Sequence, residues 1–191
     1  MEILSKLFSS APLVKMLRLF LFNQDAAFDI PAIARRTQVS PASVRREITL
    51  LHSIGFIKKK SRRGARNGAW LLNQNFPYLS ELHALLIDHN LITPEEIERR
   101  LKRVGRLKLV LVAGVFIQDK DSRVDMLIVG DGLKRAVLDN AIKGIESEIG
   151  TELRYAAFET PEFKYRLGIY DKLVRDILDY PHEKLINRLD I

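Results

Sequence analysis

The stretch from Ser40 to Asn73 limits the folds open to this 191-residue chain more than any other part of it. Ser40 followed by Pro41 is typical of a helix start. The serine oxygen can accept a hydrogen bond from a free backbone N–H, and proline lacks only an N–H that would be unpaired there. Apolar residues then recur at steps of three and four and predict one buried helix face, made of Val44, Ile48, Leu51 and Ile54.

Two short β-type runs follow this helix, at Phe56 to Lys60 and at Ala69 to Asn73. Gly55 ends the predicted helix, and the loop between the two runs contains two glycines and three arginines, which favours a turn. The sequence therefore predicts a helix that leads directly into a β-hairpin with an arginine-rich tip. Trp70 lies on the second strand, where its leucine neighbours favour core packing over base stacking.

The polar face of the helix and the hairpin are the candidate nucleic-acid contacts. Six cations lie within nine residues of the hairpin, and solubility alone requires no such density. Two arginines on a helix face, by contrast, are equally typical of a solvated surface. We expect the helix to face the major groove of double-stranded DNA and the hairpin to hold phosphates or to enter a minor groove. The candidate DNA-binding residues are Ser43, Arg45, Arg46, Thr49, Lys58, Lys60, Arg62, Arg63 and Arg66.

The positive charge of the chain is confined to its N-terminal part. Residues 1–75 contain thirteen lysines and arginines against four acids, whereas residues 76–191 contain eighteen against twenty. A polyanionic partner is therefore expected to bind the first part, and the second part is expected to have a different role.

Several function classes are excluded or disfavoured by composition. The chain has no cysteine, which excludes disulfides, a cysteine nucleophile and thiolate metal sites and fits a cytoplasmic protein. Its apolar runs are far too short to span a bilayer, so no membrane partner is expected. The four histidines, His52, His83, His89 and His182, show no metal-ligand spacing, and we expect neither a metal nor a cofactor.

The first 75 residues resemble a winged helix-turn-helix domain of bacterial and archaeal transcription regulators. Two further helices are predicted before the basic one, from Ser10 to Phe22 and from Pro31 to Thr37. Within the domain, SVRREITLLHSIGFI looks like the recognition helix and the entry into the wing. The resemblance implies a sequence-specific DNA-binding transcriptional regulator, although winged helices also serve as protein-docking modules.

A helical linker is predicted at residues 76–105, between this domain and a C-terminal domain at residues 106–191. We expect the leucine stripe of the linker to pair across a two-fold axis in a homodimer; its members are Leu79, Leu82, Leu85 and Leu86. The C-terminal domain alternates apolar β-type runs with amphipathic helices, which predicts a mixed sheet with flanking helices and an α+β chain.

The segment LVLVAGVFIQDKDSRVDMLIVGD looks like the core of a minimal nucleotidyltransferase domain of the DNA polymerase β superfamily. Active members carry Gly-Ser after the first strand and two acids, separated by one apolar residue, on the second. The resemblance implies that the paired carboxylates hold two divalent metals. Here Gly114 matches the glycine, but Val115 replaces the serine, and Arg123 replaces the first acid of the pair, so that only Asp125 remains.

An arginine in place of a metal ligand puts a fixed cation where two dications should bind. The third predicted strand offers Arg154 and Tyr155 rather than an acid, and acids at Asp119, Asp121 and Asp131 would need convergent geometry to rebuild a metal site. We therefore expect no enzyme activity and a domain retained for dimerisation or for binding a protein partner or a ligand. The alternative is an active nucleotidyltransferase that modifies a protein or a small molecule, as in a toxin–antitoxin pair.

Overall fold

The computed structural model describes residues 3–60, 68–88, 92–119, 121–189 and 191 of the chain. Its Cα atoms form two compact units, Met1–Leu91 with Glu146–Thr151, and Ile92–Ile145 with Glu152–Ile191. Helices and strands occur together with mixed strand pairing, which confirms the α+β class. Among the described helices none is both long and apolar enough to cross a bilayer.

The first unit begins with four helices, α1 (Ile3–Leu7), α2 (Ala11–Phe22), α3 (Ile30–Thr37) and α4 (Pro41–Ser53). The predicted caps are present, since Ser10 Oγ accepts the N–H of Leu13 and Ser40 Oγ accepts that of Ser43. Three residues separate α3 from α4, as in a helix-turn-helix.

A two-stranded antiparallel hairpin follows, formed by β1 (Ile57–Lys60) and β2 (Ala69–Leu72). The free edge of β2 pairs with Phe28, whose backbone exchanges two hydrogen bonds of 2.8 Å with Trp70. The helices and the hairpin together confirm the predicted winged helix-turn-helix arrangement.

The predicted buried face of α4 is correct at Val44, Ile48 and Leu51 and wrong at Ile54. Ile54 is the residue after the last helical turn and is 52% exposed, because the chain turns there into Gly55 and the hairpin. The fourth buried position is an acid, Glu47. A carboxylate can be buried only when it is paired, and Glu47 has partners on both α4 and the start of α2.

The remaining parts of the first unit are α5 (Leu79–Leu86) and the segment Glu146–Thr151. Arg18 of α2 is buried and donates to two carbonyl oxygens, that of Leu86 at 3.1 Å and that of Glu148 at 3.0 Å. Lys15 adds an ion pair of 3.1 Å to the Glu148 carboxylate. One buried guanidinium therefore ties α2 both to the end of α5 and to this distant segment.

The second unit contains α6 (Pro94–Leu101), β3 (Arg106–Val112), β4 (Met126–Asp131), most of α7 (Arg135–Ile149), β5 (Tyr155–Glu159), α8 (Thr160–Gly168), α9 (Lys172–Asp179) and β6 (Glu183–Asn187). The two helices of the predicted linker thus belong to different units, α5 to the first and α6 to the second. Of the predicted leucine stripe, Leu86 is fully buried and Leu85 is exposed.

The four strands form one mixed sheet in the order β5-β4-β3-β6. Strand β3 is antiparallel to both β4 and β6, whereas β4 and β5 are parallel and are connected through α7. Helices α8 and α9 cover one face of the sheet, where Phe163 and Val174 pack in a single buried cluster with strand residues such as Leu111 and Val129. The predicted mixed sheet with flanking helices is confirmed.

Candidate nucleic-acid interface

The four predicted helix contacts lie on the accessible face of α4. Arg45, Arg46 and Thr49 are exposed and Ser43 is half-buried. Ser43 Oγ accepts a hydrogen bond from Ser40 Oγ at 3.0 Å, whereas Thr49 Oγ1 donates to the carbonyl of Arg45 at 3.0 Å. The Ser43 hydroxyl therefore keeps its proton for an outside acceptor, and the Thr49 oxygen keeps its lone pairs for an outside donor.

The two arginines of α4 differ in their surroundings. The guanidinium of Arg46 donates to Glu47 Oε1 through Nη2 at 2.8 Å and Nε at 3.2 Å. The same carboxylate oxygen accepts from Ser10 Oγ at 3.0 Å, so Glu47 joins α4 to the start of α2. The side chain of Arg46 remains 71% exposed, but two of its guanidinium nitrogens already donate to a carboxylate of the same helix. Arg45 is therefore the stronger candidate for a DNA contact.

The three lysines of β1 divide between the two faces of the hairpin. Residues directly opposite each other in an antiparallel pair point to the same face. Lys59 is opposite Trp70 and shares its face with Ile57, which is buried. Lys58 and Lys60 point to the other face, opposite Leu71 and Ala69 respectively. All three lysines are exposed, yet only Lys59 lies on the side of the hairpin that faces the helices.

A groove of about 390 Å³ lies between the helix-turn-helix and this face of the hairpin. Its walls come from the first turns of α3 and α4 and from both strands, and they are formed by Ile30, Pro31, Pro41, Arg45, Lys59, Gly68 and Trp70. Two cations and one half-buried indole therefore face a common space.

The structure describes six of the nine predicted contact residues and places one further cation, Lys59, at the groove. Arg62, Arg63 and Arg66, predicted at the hairpin tip, lie outside the described residues. Lys59 is one of the hairpin cations but was not among the predicted contacts. Side chains alternate between the two faces of a strand, so Lys59 lies on the opposite face from Lys58 and Lys60. Trp70 is half-buried and packs edge-to-face with the exposed His52, with ring centroids 5.0 Å apart, so it belongs only in part to the core, and it also lines the groove.

In the second unit, Asp125 forms an ion pair with Arg154. Asp125 is buried, and its Oδ1 accepts the N–H of Val115 at 3.0 Å. Its Oδ2 accepts the backbone N–H of Arg154 at 2.8 Å and lies 3.3 Å from Arg154 Nε. Gly114, at φ +52°, lies so close to this carboxylate that a Cβ atom would collide with it. The carboxylate thus holds the turn after β3 against the start of β5.

The other acids of this region have separate partners. Arg123 forms an ion pair of 2.9 Å with Asp176 of α9. Asp119 Oδ1 accepts the N–H of Asp121, and Asp131 lies 3.8 Å from Arg106. Across the described parts of the chain, no three acids or histidines come together in a way that would hold a metal ion.

No family model matches the sequence, and neither does any curated protein. Among solved structures, the chain is similar to a cysteine-to-serine mutant of ZitR from Lactococcus lactis, with 21% sequence identity and a TM-score of 0.36. The similarity covers 48% of this chain and 61% of that one, so the chain spans less than two thirds of the ZitR structure. Any function proposed for the chain therefore depends on the geometry of its own residues.

Proposed function

We propose that this chain is a sequence-specific DNA-binding transcriptional regulator whose winged helix contacts duplex DNA. The observation that carries the proposal is the groove between α4 and the hairpin, which has Arg45 on one wall and Lys59 on another. In helix-turn-helix proteins the second helix of the pair lies in the major groove, and cations beside it hold the phosphates. Helix α4 has an accessible polar face for this role.

The electrostatics of the first unit support the same proposal. The only acid between Ser40 and Asn73 is Glu47, and this carboxylate is buried and engaged by Arg46 and Ser10. The ionised side chains on the accessible surface of α4 and β1 are therefore all positively charged. A surface of this kind attracts a polyanion over several ångströms and is the usual footprint of a nucleic-acid binder.

Selection of bound fragments from random duplex DNA tests this proposal. We expect enrichment of one short motif, because Ser43 and Thr49 have fixed positions on α4 and each can contact only the base pair that lies opposite it in the major groove. If the chain is the homodimer that the leucine stripe predicts, two copies of the motif should lie about 10 base pairs, or a multiple, apart. Recovery of unenriched fragments would contradict sequence-specific recognition, and recovery of none would contradict DNA binding.

For the second unit we propose a nucleotidyltransferase-like domain without catalysis, retained for dimerisation or for binding a partner or a ligand. The ion pair between Asp125 and Arg154 supports this proposal, because metal ligation would require the carboxylate to leave two backbone N–H groups and a guanidinium. Arg123, at the position of the first catalytic acid, adds a further positive charge.

We expect Asp125→Asn to lower the free energy of unfolding by about 2–3 kcal/mol, since it replaces a charged acceptor of several hydrogen bonds by an amide. Urea titration followed by circular dichroism measures this loss, and Asp121→Asn, at an exposed loop position, is the matched control. Incubation of the parent protein with labelled nucleotide and Mg²⁺ or Mn²⁺ should give no transfer. Robust transfer that Asp125→Asn abolishes without loss of stability would establish the enzyme instead.

A further inference from the structure

The groove between α4 and the hairpin combines three features that suit one segment of a DNA strand. Arg45 and Lys59 approach the groove from the helix and from the hairpin, and Trp70 supplies an apolar surface beside them. Its volume of about 390 Å³ lies within the range of pockets that bind small organic groups. A phosphate with an attached deoxyribose offers both a negative charge and an apolar C–H face that can pack on an indole.

We propose that this groove holds one sugar–phosphate unit of the duplex backbone, with Arg45 and Lys59 on the phosphate and Trp70 against the deoxyribose. The inference rests on the proposed DNA binding and adds the residues that position it. If α4 lies in the major groove and the hairpin lies beside the neighbouring minor groove, the strand that separates the two grooves passes between them. The groove between α4 and the hairpin lies where this strand would pass.

The indole of the groove is held in position before any ligand binds. Trp70 exchanges two backbone hydrogen bonds with Phe28, and its ring packs edge-to-face with that of His52. The side chain of Lys59 lies across Gly68, where an added Cβ would be 2.5 Å from Lys59 Cε. The indole therefore loses little conformational freedom on binding, which favours affinity, whereas the exposed Arg45 and Lys59 side chains become ordered on the phosphate.

None of the described residues that line the groove is acidic, so no carboxylate there competes with a phosphate for Arg45 and Lys59. The nearest acid in sequence is Asp29, which precedes Ile30 at the start of α3. Its Oδ1 accepts the N–H of Ala32 at 2.8 Å and so caps α3. The charges that face the groove from α4 and from the hairpin are therefore both positive.

A matched pair of lysine variants tests the inference. We expect Lys59→Gln to weaken binding of a mixed-sequence duplex of about 30 base pairs by about fivefold at 0.15 M salt, the effect of losing one phosphate contact. Lys143→Gln removes the same charge from an exposed position of α7, outside the proposed interface, and should change affinity by less than about twofold. Fluorescence anisotropy of labelled DNA measures both.

The sole tryptophan gives a second readout that needs no substitution at Trp70 itself. Saturating duplex should shield Trp70, so that the constant for quenching of its fluorescence by acrylamide falls at least about twofold. Bound DNA that leaves Trp70 equally accessible, or equal losses for Lys143→Gln and Lys59→Gln, would overturn this inference while the proposed function stands. Absence of salt-sensitive DNA binding would overturn both.

Discussion

Gly150→Ala is expected to lower the free energy of unfolding of the first unit by about 4 kcal/mol, a loss near the upper end of the range for single substitutions. Gly150 has φ +93°, a conformation that costs an L-residue about 1–2 kcal/mol. An added Cβ would also lie 2.6 Å from the carbonyl carbon of Arg18 and 2.7 Å from the backbone nitrogen of Leu19. Backbone atoms of a buried helix cannot move aside as a flexible side chain can.

The reason for this close approach is the contact between α2 and the segment that contains Gly150. Asn23 donates to the carbonyl of Gly150 at 2.9 Å, and Arg18 donates to the carbonyl of Glu148. A displaced segment would leave the buried guanidinium of Arg18 without one of its acceptors, which adds the cost of an unsatisfied charged donor.

Gly168→Ala is the matched control. Gly168 is the last residue of α8, and a Cβ there would meet no atom within 4 Å. We expect a change within about 1 kcal/mol and on the stabilising side, because alanine favours helix over glycine. Urea midpoints followed by circular dichroism compare the two variants. Equal midpoints would contradict the packing of the segment against α2.

Replacing Arg62, Arg63 and Arg66 together by alanine should weaken duplex binding by about 100-fold at 0.15 M salt, which is the effect of three lost phosphate contacts. This prediction derives from the sequence, since the three arginines lie outside the described residues. The slope of the logarithm of affinity against the logarithm of salt concentration should become shallower by about 2.7. Fluorescence anisotropy with labelled duplex at four or five salt concentrations measures both quantities.

A triple variant of the second unit controls for net charge. Lys143, Lys164 and Lys172 are exposed and lie away from α4 and the hairpin in sequence. Their replacement by alanine removes the same three charges, and we expect it to change affinity by less than about twofold. A similar loss in both triple variants would assign DNA binding to overall charge rather than to the hairpin.

Local signals in the sequence were sufficient to predict the helix-turn-helix and the hairpin. Ser10 and Ser40 cap the helices that they were expected to cap, and the three-and-four spacing placed Val44 and Leu51 correctly. The predicted burial of Ile54 was wrong because apolar periodicity does not show where a helix ends.

Long-range pairing of polar groups could not be predicted in the same way. Arg18 and Glu47 are charged residues on otherwise apolar helix faces, and their burial depends on partners distant in the chain, Glu148 and Ser10 respectively. The hydrogen bonds between Asp125 and Arg154 could not be predicted from the sequence either, because the two residues lie 29 positions apart. The face on which Lys59 lies follows only once the hairpin register is known.

The salt dependence of duplex binding by the unmodified chain tests the central proposal most directly. Five phosphate contacts from the predicted hairpin residues Lys58, Lys60, Arg62, Arg63 and Arg66 should give the logarithm of the affinity a slope of about −4.5 against the logarithm of the salt concentration. The contacts proposed for Arg45 and Lys59 make that slope steeper. Such a slope, lost in part when Lys59 or the three hairpin arginines are replaced, is the result expected of a winged helix that holds DNA by its basic surface. A slope near zero, or no measurable affinity at 50 mM salt, would contradict it.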